Sequence, residues 1–134
     1  MTRSQAREQA FIIVFEKIFN PEESAALLIE AAQECGLFTA DEFTSKLCEA
    51  ACGNIEETDG TISAFLKGWK IQRLSKITLA ILRLAISEIN YFDDVPASVT
   101  VNEAVELAKK YGGAEDAPFI NGVLGAFLRS KEEK

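Results

Sequence analysis

Two groups of cations and a few aromatic rings are the residues whose types and spacing could do chemistry here. Arg3 and Arg7 stand one helical turn apart, so one helix face would present two charges to phosphates. Lys67, Lys70, Arg73 and Lys76 place four cations within ten residues, around Trp69. That mixture suits single-stranded RNA, because bases stack on rings while cations meet phosphates. Phe119 lies near the start of a predicted last helix, where free backbone amides also attract phosphate. Each group has a plainer reading: the arginines as solubilising surface, Trp69 and Phe119 as core residues.

Catalysis has little to work with. The chain has no histidine, so the commonest general base near neutral pH is missing. No GxSxG, P-loop or GxGxxG occurs. Glu56-Glu57 and Asp93-Asp94 are neighbouring carboxylates. Adjacent side chains on a helix or turn point apart, and these read as solvated acids. Cys48 and Cys52 are spaced as two metal ligands would be, yet no CxxC and no histidine completes a set. With Cys35 they read as reduced thiols, and the pair as buried small hydrophobes. No metal site, no cofactor and no enzymatic activity is expected.

The elements that must position these residues are helices. A chain of 134 residues, 48% hydrophobic and 26% charged, fits one domain with its own core. The expectation is a single domain over 1–134, with 131–134 as a frayed tail. No signal peptide and no membrane-length apolar run is visible, which points to a soluble cytoplasmic protein with no membrane contact. The net charge of −7 argues against indiscriminate nucleic-acid binding, but the charge is uneven. Residues 1–20 are net +1, 21–60 net −9, 61–92 net +4 and 93–134 net −3.

Periodicity predicts an all-α, compact bundle of about seven helices. The first runs from Arg3 to Phe19 and stops at Asn20-Pro21, since the residue before proline leaves the α region. Pro21 can open the second, which ends at a left-handed Gly36. Thr39 or Asp41 caps a third through Phe43, Leu47 and Ala51. A fourth starts near Asp59 and carries Ile62, Phe65, Leu66 and Trp69. From Ser75 to Phe92 the pattern is apolar nearly all round, as in a helix at the centre of a helical domain. A sixth helix covers Ser98 to Tyr111, with Glu106 and Lys110 as an (i, i+4) pair. A seventh starts near Glu115, and Gly122 and Gly125 imply close approach of a neighbouring helix.

Several stretches together resemble the NusB family. They are ILRLAISE (Ile81 to Glu88), DVP (Asp94 to Pro96), NEAVELAKKYG (Asn102 to Gly112) and FINGVLG (Phe119 to Gly125). AREQAF (Ala6 to Phe11) agrees with the family's start, while residues 20–57 carry no motif. The resemblance implies a small helical domain that binds boxA-type RNA, as in ribosomal RNA leaders, together with NusE, a small-subunit ribosomal protein. With other Nus factors the pair makes RNA polymerase resist termination, with no chemistry and no cofactor.

Carried over by motif, Arg3, Arg7, Phe15 and Phe119 match RNA-binding positions, and Lys67 the RNA edge. Ile62, Phe65, Leu66 and Trp69 match the region that meets NusE, and Asp116 lies on the side where the complex assembles. Ser4 and Gln5 stand where the family often has more arginines, and Phe15 lacks a hydroxyl. The resemblance therefore implies weak RNA binding alone and dependence on the partner. The alternative is a protein-only interaction module or homodimer with weak or no RNA binding. A related helical domain is also found ahead of an RNA cytosine methyltransferase, but no methyl-donor-binding segment is present here.

Overall fold

The computed structural model describes residues 1–37 and 39–132. Its elements are α1 (Arg3–Phe19), α2 (Ala25–Glu34), α3 (Glu42–Gly53), α4 (Ile55–Ala64), a 3-10 turn (Ile71–Arg73), α5 (Lys76–Tyr91), α6 (Ala97–Tyr111) and α7 (Asp116–Glu132). No strand occurs among the described residues, so the chain is all-α as its periodicity predicts. No helix among them is long and apolar enough to cross a membrane.

Helix α5 sits where an all-round apolar helix belongs. It packs against α1, α3, α4, α6 and α7, and Ile81, Leu82 and Ile86 are fully buried. Burying such side chains stabilises by roughly 1.5–3 kcal/mol each. The Ser75 hydroxyl accepts from the Thr78 N–H at 3.1 Å and starts the helix. Helix α1 lies along α3 and α5, and α6 pairs with α7.

Local chemistry accounts for the boundaries, including those that periodicity places wrongly. Pro21 does not open α2. It is the second residue of a turn in which the Glu23 N–H donates to the Asn20 carbonyl at 3.0 Å, a position its fixed φ favours. Lys17 Nζ clamps that turn by donating to the carbonyls of Pro21 at 2.7 Å and Glu23 at 2.5 Å. The helix starts instead at Ala25, with the Ser24 hydroxyl accepting from the Leu27 N–H. It ends as expected at Gly36, φ +75°, with the Leu37 N–H reaching back to the Ala32 carbonyl at 3.0 Å. Asp41, rather than Thr39, caps α3 through a 2.7 Å contact with the Thr44 N–H.

Helix α4 begins at Ile55, not near Asp59. Glu56 and Glu57 occupy its first turn, where acids complement the positive end of the helix. It ends at Ala64, because Lys67 (φ 44°) and Gly68 (φ 90°) turn left-handed in succession. Trp69 therefore stands outside the helix. Asp59 is left in mid-helix, where its carboxylate accepts Arg83 Nε at 2.8 Å and Nη2 at 2.7 Å, tying α4 to α5.

Two expectations about α7 are corrected. The tail expected from residue 131 is helical through Glu132. Lys131 Nζ donates to Asn90 Oδ1 at 2.9 Å and lies over the Phe127 ring, which holds this end to the body. Residues 133 and 134 lie outside the described residues. A side chain at Gly122 would meet nothing within 4 Å, and one at Gly125 only the tip of Arg129. No neighbouring helix approaches either glycine.

Candidate nucleic-acid and partner interface

Helix α1 carries a row of rings in contact with one another. Phe11 and Phe15 have centroids 6.1 Å apart, and Phe15 and Phe19 meet edge-on at 5.2 Å. Phe11 is buried, Phe15 half-buried and Phe19 exposed, so the row climbs from core to solvent. At its inner end Phe11 lies 5.0 Å from Tyr111, the last residue of α6. The row thereby joins α1 to the α6–α7 turn that leads to Asp116 and Phe119.

The same junction holds a polar cluster that sequence reasoning missed. Glu8 Oε2 accepts from both Lys110 Nζ and the Tyr111 hydroxyl. These contacts hold the Glu8 carboxyl below its usual range, Lys110 contributing most, then Tyr111. The Lys110 ammonium and the Tyr111 phenol are both pushed up, chiefly by their hydrogen bonds to Glu8. Lys110 is thus not paired with Glu106, as its spacing suggests; Lys109 takes Glu106 at 3.4 Å. The signal was a carboxylate on α1 one residue after Arg7, but nothing in the spacing names its partners.

In the α6–α7 turn, Asp116 is half-buried, and its carboxylate accepts the Gly113 N–H at 2.7 Å. A Cβ at Gly112 would lie 2.6 Å from Asp116 Oδ2 and 2.9 Å from the Ala108 carbonyl, so only glycine fits. Phe119 is half-buried against the core. Its ring combines the two sequence readings, core on one side and open on the other.

The two arginines separate. Arg3 is exposed, with its guanidinium 4.0 Å over the Phe43 ring. Arg7 turns inward and is only 4% exposed. Its guanidinium grips Glu88 on α5, and Thr100 on α6 donates to the same carboxylate at 2.8 Å. The expectation of two cations on one open face fails here. A buried carboxylate in mid-core needs a fixed counter-charge, and Arg7 supplies it.

The α4 residues divide likewise. Ile62 and Leu66 are buried, against the expectation that they face a partner. Ile62 takes the core-facing side of α4, and Leu66, in the turn just after the helix, is drawn into the same core. Phe65 is half-buried and packs edge-on to Phe127 at 6.0 Å. Lys67 and Trp69 are exposed. Among the described residues no group of three or more acidic, cysteine or histidine side chains is placed to hold a metal. Cys48 is buried and Cys52 half-buried, while Cys35 is exposed.

The family model described as "NusB family" matches residues 4–129. The chain belongs to the NusB family. The transcription antitermination protein NusB of Acetivibrio thermocellus is 41% identical over 132 residues, covering 98% of this chain and 91% of that protein. Its counterpart in Agathobacter rectalis is 41% identical over 130 residues, covering 95% and 99%. A crystal structure of antitermination factors NusB and NusE in complex with double-stranded RNA superposes with a TM-score of 0.83. It is 27% identical and covers 97% of this chain and 99% of that one.

Membership in the NusB family makes this member's inward-turned Arg7 informative. The AREQAF segment that carries part of the resemblance spends its arginine on the core. Of the candidate RNA residues, Arg3, Phe15, Phe119 and Lys67 keep surface to offer. Phe15 lies on α1, whose ring row reaches Tyr111 at the end of α6, and Phe119 lies in the first turn of α7. Lys67 and Trp69 belong to the separate α4–α5 connection.

Proposed function

We propose that this chain is a transcription antitermination factor. It binds boxA-type single-stranded RNA, as in ribosomal RNA leaders, together with NusE, and joins the complex that makes RNA polymerase resist termination. Antitermination proteins matching nearly its whole length, and a like-folded NusB seen with NusE and RNA, support this reading. The observation that carries it is the ring row of α1, half-open at Phe15 and joined through Tyr111 to the turn before Phe119. Exposed aromatic faces are what unpaired bases stack on.

Arg3 and Lys67 supply phosphate contacts, and Phe15 and Phe119 supply stacking. The partner meets the open edge of Phe65 and the turn held by Asp116, with Ile62 and Leu66 as buried support. The factor acts by binding, as one domain in the cytoplasm, with no metal, cofactor or catalytic step. Because Arg7 is committed to Glu88, RNA binding by the chain alone is weak, and the partner supplies the remainder.

A fluorescent boxA RNA, titrated with and without NusE at two salt concentrations, tests this. Salt-sensitive binding that tightens markedly with NusE is expected. No binding in either condition, with NusE folded, would sink the reading. The burial of Arg7 favours one alternative, a protein-only module or homodimer, which light scattering over a concentration series would reveal.

A further inference from the structure

The α4–α5 connection carries an exposed ring among cations with nothing opposing them. Trp69 is 63% exposed. Lys67, Lys70, Arg73 and Lys76 are all exposed, and among the described residues none of them makes an ion pair. Elsewhere Arg7, Lys46, Arg83, Lys109 and Lys110 are each matched by a carboxylate. Arg3, Lys17, Arg129 and Lys131 also lack an ion pair among the described residues, but only here do four such cations fall within ten residues, in a chain of net −7.

The cluster is built on ordered backbone. Left-handed Lys67 and Gly68 swing the chain away from α4. The Trp69 N–H donates to the Leu66 carbonyl at 3.1 Å, and the Arg73 N–H to the Lys70 carbonyl at 2.9 Å. Buried Leu66 on one side, and half-buried Ile71 and Leu74 on the other, anchor the segment to the core. Gly68, Trp69, Lys70 and Arg73 line an open concavity of about 340 Å³. Both faces of this chemistry point one way. A bare indole surface accepts a flat ring, and the flanking cations attract the anions of a backbone. A basic peptide would be repelled.

We propose that the Trp69 concavity is a stacking site for one base of single-stranded RNA, with Lys67, Lys70 and Arg73 holding the flanking phosphates. It rests on the RNA-binding reading above. It adds to the α1 and α7 residues a contact on a different connection, and it gives Trp69 to RNA rather than to the protein partner.

Trp69 is the only tryptophan, so a chain labelled with 5-fluorotryptophan gives one fluorine resonance that reports this site, even with unlabelled NusE present. The resonance is followed alongside the anisotropy of a dye-labelled boxA RNA. The expected result is that the resonance moves over the RNA concentrations at which anisotropy rises. Trp69→Ala then weakens binding roughly tenfold, Trp69→Phe restores most of it, and Lys70→Gln with Arg73→Gln lowers the salt slope by about 1.4. Anisotropy that rises while the resonance stays still, with Trp69→Ala binding as the parent does, would remove this site and leave the RNA function standing. A resonance that answers NusE but not RNA would overturn the proposal in favour of a protein contact. Absence of RNA binding even with NusE would bring down both readings.

Discussion

Arg7 on α1 and Glu88 on α5 meet through paired contacts, Nε to Oε1 at 2.9 Å and Nη2 to Oε2 at 2.8 Å. The two residues are 4% and 1% exposed. They are 81 positions apart in sequence, and their contact fixes how the N-terminal helix lies on the central one. Removing one partner leaves a buried charge alone. Arg7→Ala should therefore cost about 3–5 kcal/mol, whereas replacing Arg7 and Glu88 together by Met and Leu should cost far less. Urea midpoints of the two variants decide it. A loss below about 1 kcal/mol for Arg7→Ala would mean that water reaches Glu88 and the pair is not sealed.

The glycines of the C-terminal third should respond in opposite directions. Gly122 is exposed within α7 with open space around it, so Gly122→Ala should stabilise by up to about 1 kcal/mol. Gly112→Ala should destabilise, because the new methyl would press on Asp116 and the Ala108 carbonyl. Thermal unfolding of both variants is the check, and equal shifts of one sign would refute the geometry.

Two carboxyls are held below their ordinary values, Glu8 by Lys110 and Tyr111 and Asp41 by the Thr44 amide. The unfolded chain therefore takes up these protons first. Their contribution is complete above the ordinary values of 4.5 and 3.8 and is lost as pH falls through the depressed folded values. Urea midpoints measured from neutral pH down into that range should fall less steeply for Glu8→Gln than for the parent chain. Parallel curves would show that the α1–α6 cluster gives no pH dependence.

The three thiols should separate by accessibility. Burial pushes the Cys48 thiol far up, with Cys52 and Glu49 adding to it, and burial raises Cys52 as well. Cys35 is exposed. A thiol-exchange reagent at mildly alkaline pH should label Cys35 rapidly and Cys48 only in denaturant. Rapid labelling of Cys48 in the native chain would contradict its place in the core.

What could be read from the sequence was whatever a local pattern determines. The apolar wrap of 75–92 announced α5, and Gly36 announced the end of α2. Three failures share another cause: the deciding partner is distant or the signal is shared between meanings. Asn20-Pro21 reads equally as a helix start or a turn, and Lys17 settles it from the preceding helix. Glu56 and Glu57 are the exposed acids expected, but read as solvated acids they do not also mark the first turn of α4, so its start is placed near Asp59 instead of Ile55. Arg7 looks like a surface cation because Glu88 is far along the chain. Exposure of the candidate site followed the same rule. Ile62 was placed on a helix correctly, whereas Leu66 falls in the turn beyond the end of α4, and which side of α4 the core would claim depended on α5 and α3.

The central position of α5 has a consequence for measurement. Helix amides enclosed by α1, α3, α4, α6 and α7 exchange with deuterated water only when the whole body opens. A ligand docked anywhere on the native surface slows that exchange by the factor 1 + [L]/Kd, whatever its point of attachment. The deepest amides of the chain thus serve as a gauge of total occupancy. Amides at the surface, by contrast, report only where a ligand sits.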